Sequence, residues 1–290
     1  MKAKICFIIN PISGVGAQKL IEPLLAEVFP VKDFSCIIKY TESPKHATVL
    51  AQMAVEEGFE TIVAVGGDGS VNEVSAGMLN SKAKMGIVPC GSGNGFARHL
   101  NISMDLRDAL LTIKKGKSIQ VDTLAINKKS LVNIAGLGFD AHVAHCFAKS
   151  SKRGFFTYLK IILNEFLSYK ETTYTIETDA QKINIKAYLL SIANASQYGN
   201  NAAISPQSDA SDGKFEICAL QKPPLYLIPW LALLLFTKKL DRSAYFKSIV
   251  CTKASIVSQH AQAHIDGEAV DLLSPIELSV LPLSLQVIVP

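Results

Sequence analysis

Residues 60–79 read ETIVAVGGDGSVNEVSAGML. The first six are mostly apolar and β-branched and predict a strand. Gly66-Gly67-Asp68-Gly69 ends that strand, and Ser70-Val71-Asn72-Glu73 has the Ser-x-x-Glu spacing of a capping box that opens a helix to about Leu79. Strand, glycine turn and helix within twenty residues are the repeating part of a parallel sheet. The turn also has chemical potential. Glycines let backbone amides approach phosphate oxygens with no Cβ in the way, and the helix that follows aims its N–H groups at the same place. Asp68 is of the type that holds Mg²⁺ beside a polyphosphate. Taken alone, the same four residues also describe a tight turn in which Asp68 merely caps the helix.

The flanking sequence repeats the pattern. Upstream, KICFII (residues 4–9) predicts a first strand, NPISGVG (10–16) a turn, and Leu20, Leu24, Leu25 and Val28 a helix over 17–28. SCIIKY (35–40) predicts a second strand, and Ser43-Pro44 a helix start, with Ser as cap and Pro at the first helical position, running through Val49, Leu50, Met53 and Ala54 to Gly58. Downstream, MGIVP (85–89) is a short strand followed by a third glycine turn, CGSGNGFARHL. Such alternation gives a mostly parallel sheet with helices on both faces, and ligands of such sheets sit beyond the carboxyl ends of the strands. The three glycine turns all fall at strand ends and so are expected to converge on one site. The first is neither a P-loop, lacking Gly-Lys-Ser/Thr, nor the dinucleotide fingerprint, since Lys19 stands where the third glycine belongs.

Past residue 120 the character changes. Segments 121–126, 131–135, 173–178, 183–193, 214–220, 248–257, 262–265 and 276–288 are β-rich, with helical pattern only at 140–148, 155–167 and 224–237. The expected architecture is an α/β nucleotide-binding domain over residues 1–120 and a mainly antiparallel β-sandwich domain over 121–290, the last strand returning to the first domain.

Composition narrows the function classes. With 49% hydrophobic and 19% charged residues in 290, the chain has material for a sizeable core and is not of disordered type. A net charge of +4 is mild, and no basic run with interleaved aromatics suggests nucleic-acid binding. Cys6, Cys36, Cys90, Cys146, Cys218 and Cys251 are scattered, giving neither a zinc spacing nor a disulfide framework, as suits a reducing cytoplasm. The longest apolar stretch, PPLYLIPWLALLLF (223–236), is too short and too rich in proline for a membrane span. It reads as a core helix, although Trp230 followed by Lys238 and Lys239 is also the pattern of an interfacial segment. His142 and His145, on an apolar helical stretch, read as packing residues rather than ligands.

Order and spacing together resemble the catalytic domain shared by diacylglycerol kinases, sphingosine and ceramide kinases and their bacterial relatives. Asn10-Pro11 with Ser13-Gly14, Gly66-Gly67-Asp68-Gly69, and Gly91-Ser92-x-Asn94 with Phe96-Ala97-Arg98 stand in the order of that family. Gly136-x-Gly138-Phe139-Asp140-Ala141, Asp212-Gly213-Lys214-Phe215-Glu216 and Ile265-Asp266-Gly267-Glu268 extend the resemblance over nearly the whole chain. It implies an ATP-dependent, Mg²⁺-requiring kinase of lipid metabolism and phospholipid biosynthesis, cytoplasmic or at the inner membrane face, acting on a lipid at the membrane surface; it is compatible with a homodimer. It also implies roles. Asn10, Pro11, Ser13, Gly14, Thr41, Gly66, Gly67, Asp68, Gly69, Ser70, Asn72, Glu73, Gly91, Ser92 and Asn94 would line the ATP site. Asp68 would organise Mg²⁺ and the phosphates, and Glu268 would be the general base for the lipid hydroxyl, a role that some accounts give to the aspartate at position 68. Asp212, with Asp209 and Lys214, matches a second, structural Mg²⁺ site of bacterial relatives.

Two departures bear on the acceptor. Ser92 stands where bacterial diacylglycerol kinases carry Thr, and Gly95 where they carry Asp, so Gly-Ser-Gly-Asn is closer to the sphingosine and ceramide kinase form. A kinase of nicotinamide nucleotides shares the Gly-Gly-Asp-Gly loop but not Asn10-Pro11-x-Ser13-Gly14 or Ile265–Glu268. A catalytically silent lipid- or nucleotide-binding regulator would have no use for both Asp68 and Glu268.

Overall fold

A computed structural model describes residues 2–13, 20–150, 155–260 and 262–290. Sixteen strands and eight helices follow in the order β1 (Ala3–Ile9), α1 (Ile21–Val28), β2 (Phe34–Tyr40), α2 (His46–Glu56), β3 (Thr61–Gly66), α3 (Asp68–Met78), β4 (Lys84–Pro89), α4 (Gly95–His99), α5 (Leu106–Lys115), β5 (Ser118–Ile126), β6 (Lys129–Leu131), β7 (Ile134–Gly138), α6 (Phe139–Lys149), α7 (Phe155–Glu165), β8 (Thr172–Thr178), β9 (Lys182–Ala187), β10 (Leu189–Ala193), β11 (Phe215–Leu220), α8 (Ile228–Phe236), β12 (Phe246–Cys251), β13 (Lys253–Val257), β14 (Gln262–Ile265), β15 (Glu268–Asp271) and β16 (Ile276–Ile288). The chain divides into two compact units, Met1–Asp122 with Pro282–Pro290, and Thr123–Leu281.

In the first unit β2, β1, β3 and β4 pair side by side, all parallel. The apolar runs noted above are the reason: Ile5–Ile9 and Ile62–Val65 are buried on both faces, as inner strands of a helix-covered sheet must be. The far edge of β4 is closed by the end of β16, where Gln286 and Val287 pair with Lys84 and Met85 in parallel register. Residues 282–290 are stitched in further by the Leu283 amide on Asp122 Oδ1 (2.7 Å), the Asn80 amide on the Ser284 carbonyl (2.7 Å) and the Val289 amide on the Lys117 carbonyl (2.9 Å).

The second unit is a two-sheet sandwich. One sheet has the order β12-β11-β10-β7-β14-β15, antiparallel throughout. The other sets the first part of β16 beside β13, β8 and β9, also antiparallel, with β5 and β6 alongside. Inward-facing residues of both sheets, among them Leu137, Ile192, Ile217, Tyr174, Ile176 and Ile256, form one core. On the outer side of the first sheet, α8 packs Leu231 and Leu234 against Ile134, Cys218 and Phe246, while α6 and α7 pack through Phe139, Val143, Tyr158 and Ile162 around Tyr188. No helix among the described residues is long and apolar enough to cross a membrane.

The fold class is as the sequence implies, and several local expectations are corrected. Ser43-Pro44 does not cap α2. The helix begins at His46 behind Lys45, which is left-handed at φ 66°, and its cap is the Glu73 carboxylate of α3, which accepts the amides of Lys45 (2.8 Å) and Ala47 (3.1 Å). With Glu73 so engaged the capping box at Ser70 does not form, and α3 starts two residues earlier, at Asp68. The two long β-rich segments each divide. Residues 183–193 pass from one sheet to the other at Tyr188, and 248–257 do so at Thr252. Helices α4 and α5 and strand β15 had no counterpart in the sequence reading. The α5 boundaries are nonetheless written there: Asp105 accepts the Asp108 amide as cap, and Gly116 (φ 70°) closes the C-terminus. Residues 17–19 of the expected first helix lie outside the described residues.

Candidate functional site

Three loops meet at the carboxyl ends of β1, β3 and β4, all within the first unit. After β1, Asn10 folds the chain back on itself: its Oδ1 accepts the Ile12 amide (3.1 Å) and its carbonyl accepts both the amide and the hydroxyl of Ser13 (3.2 and 2.8 Å). Asn10 Nδ2 donates across to Ser70 Oγ at 3.4 Å, joining the first loop to the second. Thr41 follows β2 and donates its amide to the Ile9 carbonyl (2.9 Å), which sets it beside Asn10. The second and third loops touch through bare backbone. A Cβ at Gly91 would lie 2.6 Å from Gly67 Cα, and one at Gly67 would lie 3.2 Å from Gly91 Cα. Position 91 therefore requires glycine for the loops to close on each other, and at 67 a side chain would press the third loop back by a few tenths of an ångström.

The third loop is braced from within. Asn94 is buried and left-handed (φ 53°); its side chain accepts the Gly91 amide (2.9 Å) and donates to the Gly91 carbonyl (2.7 Å). Arg98 Nε holds the Gly93 carbonyl at 3.1 Å. Ser92 is left at the exposed tip. Asp68 links this loop to its neighbour, since its carboxylate accepts backbone amides at Asn94, Gly95 and Phe96, the last at 3.4 Å. The residue as a whole is half-buried, but its carboxyl is turned inward. Burial lifts its pKa from 3.8 to about 6, and the amides offset only part of that.

Of the residues expected to line one site, Asn10, Ser13, Thr41, Gly66, Gly67, Asp68, Ser70, Gly91 and Asn94 stand together. Pro11 is exposed beside them, and Gly69 and Asn72 follow in the first turns of α3. Gly14 lies outside the described residues. Glu73 faces α2 as its cap, so its carboxylate has a structural partner rather than a place among the loops.

In the second unit Glu268 opens β15 at an exposed position, directly after a hairpin turn in which Asp266 (φ 48°) and Gly267 (φ 84°) are both left-handed. That turn is not an isolated corner. Asp266 is buried, and its two carboxylate oxygens take the amides of Val132 (3.1 Å), Asn133 (2.9 Å) and Ile134 (3.0 Å). The sequence placed Asp266 in a motif without giving it this work, because its partners lie more than 130 positions away. The Gly136–Ala141 motif also gains a physical reason. Any side chain at 136 would collide with Asp140 Oδ2 and His264 Nε2, which pair at 3.2 Å in the interior. Tyr198 donates to the same Asp140 oxygen (3.1 Å) and bonds Ser191, with its phenol pKa driven far upward by burial and by the Asp140 charge. His145 braces the carbonyls of Ala263 (3.1 Å) and Val270 (3.2 Å), the packing role expected of it. Asp209 and Asp212 share one turn, the Asp212 amide donating to the Asp209 carbonyl (3.4 Å). Asp209 Oδ1 takes Ser211, and Asp212 Oδ1 takes the Lys214 amide (3.0 Å).

Comparison with known proteins resolves the family. Residues 4–126 match the diacylglycerol kinase catalytic domain, and residues 133–289 match the YegS C-terminal NAD kinase beta sandwich-like domain. The chain belongs to the diacylglycerol kinase catalytic-domain family. Among curated relatives of this kinase family, a diacylglycerol kinase of Bacillus subtilis is 28% identical over 90% of this chain and 88% of its own. One of Staphylococcus carnosus is 26% identical over 78% and 75%. The crystal structure of a diacylglycerol kinase from Bacillus anthracis superposes with a TM-score of 0.76 at 21% identity, covering 99% of this chain and 97% of that one, a likeness of fold.

Proposed function

We propose that this protein transfers the γ-phosphate of ATP to the hydroxyl of a lipid, with diacylglycerol as the first acceptor to test. The observation that carries the reading is the meeting of three glycine loops at one sheet edge, two of them in backbone contact at Gly67 and Gly91, with Asp68 between them. Such an edge offers amides from loops and from the start of α3 to phosphate oxygens. A carboxyl pushed up by burial is the kind that a divalent cation would return to its ionised form, so Asp68 fits Mg²⁺. Mg²⁺ supplies charge neutralisation on the phosphates. Asp209 and Asp212, exposed on one turn, fit a second hard cation by donor type.

In the transfer, the lipid oxygen bonds to the γ-phosphorus while the bond to the β–γ bridging oxygen breaks. ADP keeps that electron pair, and the hydroxyl proton passes to a carboxylate. Glu268 is our assignment for that base. Asp68, already holding amides of the third loop, is assigned to positioning the phosphates.

The acceptor resides in a bilayer, and α8 supports peripheral contact with one. Leu231 and Leu234 face the core, whereas Trp230, Leu233 and Phe236 remain exposed beside Leu225 and Tyr226. Lys238 and Lys239, both exposed, follow them, as suits an anionic surface.

The test is transfer of label from γ-labelled ATP to a panel of diacylglycerol, monoacylglycerol, a sphingoid base, ceramide and phosphatidylglycerol in mixed micelles, with NAD alongside. Label in diacylglycerol is expected. Label in a sphingoid base or ceramide would instead favour the reading of the Gly91–Asn94 loop. Label in NAD alone would overturn lipid phosphorylation in favour of the chemistry after which the C-terminal family is described.

A further inference from the structure

Away from the glycine loops, α6 and α7 bring three side chains of different chemistry to one point. His142 and Cys146 are one turn apart on the same face of α6, and Glu165 ends α7, which packs against it. His142 Nε2 lies 2.9 Å from Glu165 Oε2 and 3.7 Å from Cys146 Sγ, and the three potential ligand atoms are all within 4.8 Å of one another. Among the described residues they are the one group of three or more His, Cys, Asp or Glu side chains so placed. All are half-buried, so the cluster is walled by protein yet reachable from solvent.

We propose that His142, Cys146 and Glu165 form a binding site for a divalent cation of the zinc type, with a water molecule as the fourth ligand. The donor set decides the class: one thiolate, one imidazole and one carboxylate suit Zn²⁺, whereas Mg²⁺ and Ca²⁺ take oxygen alone. The spacing agrees. With metal–sulfur near ~2.3 Å and metal–nitrogen near ~2.0 Å, tetrahedral ligands stand about 3.4–3.6 Å apart, between the two separations observed. A single ring nitrogen of His142 faces both partners, as it must to share a metal with them. His145 is excluded from the site, because its ring bonds carbonyls of β14 and β15. The cation would tie α6 to α7, two helices that pack through apolar and aromatic side chains, Phe147 against Tyr158 among them.

The test uses the full chain, stripped with chelator and titrated with Co²⁺. One equivalent is expected to bind with a thiolate-to-cobalt charge-transfer band in the near ultraviolet, and Zn²⁺ should displace it. Cys146→Ser should lose the band while keeping wild-type circular dichroism, which separates loss of a ligand from loss of the fold. Glu165→Gln should weaken binding roughly ten-fold or more, since even partners outside the ligand shell are worth 10–100-fold. No band in wild type, or a band that persists in Cys146→Ser, would overturn the site and leave His142–Glu165 a plain hydrogen bond.

Discussion

Asp68 binds its proton more tightly in the folded chain than in the unfolded one, its pKa rising from 3.8 to about 6 on burial. Folding stability therefore falls as pH rises from about 4 to about 6 and is level above that. Without Mg²⁺-nucleotide, Asp68→Asn should be more stable than wild type at pH 8 by about 3 kcal/mol, at roughly 1.4 kcal/mol per pKa unit. The difference should vanish near pH 4, as urea melts in chelator would show. Where the metal is required the sign reverses: at sub-saturating Mg²⁺ activity should fall as pH drops through about 6, because the proton competes with the cation, and the Asn variant should lose activity at every pH. The Ile265–Glu268 motif divides its labour between two carboxylates. Glu268→Gln should lower turnover roughly 10²- to 10⁴-fold with ATP affinity and melting temperature unchanged. Asp266→Ala leaves the buried amides of Val132, Asn133 and Ile134 without their acceptor. It should cost about 3 kcal/mol of stability, measured by denaturant melts.

At the scale of elements, the loops act as a set because their backbones touch. Gly91→Ala puts a methyl 2.6 Å from Gly67 Cα, a contact that no side-chain rotation relieves. ATP affinity, measured by equilibrium binding, should drop at least ten-fold, about 1.4 kcal/mol, while the fold persists. What the sequence disclosed follows the range of the interactions. The strands Ile5–Ile9 and Ile62–Val65 were legible because burial on both faces writes itself as an unbroken apolar run. The glycine loops were legible because backbone contact admits one residue type. The start of α2 was misread because its cap, Glu73, comes from another helix, and the same engagement removed the capping box from Ser70. The changes of sheet at Tyr188 and Thr252 were hidden, for neither carries glycine or proline to punctuate the run. Asp140 with His264, and Asp266 with residues 132–134, were hidden by separations beyond 120 positions, which no local pattern spans.

For the molecule as a whole, the exposed face of α8 bears on where catalysis occurs. Changing Trp230 and Leu233 together to Ser removes two exposed apolar side chains while leaving Leu231 and Leu234 in the core. Each such side chain is worth roughly 1.5–3 kcal/mol when fully buried, so sedimentation with phosphatidylglycerol-containing vesicles should fall ten-fold or more. Undiminished sedimentation would move the contact elsewhere on the surface. A different whole-molecule consequence follows from β16. The edge of β4 finds its partner in Gln286 and Val287, after all of 123–281 has been made. At roughly 5–20 residues per second, the sheet that carries the glycine loops waits roughly 8–30 s on the ribosome with an open edge. Nucleotide affinity should thus arrive late in synthesis and all at once. Nascent chains halted near residue 122 should be the ones that chaperones hold.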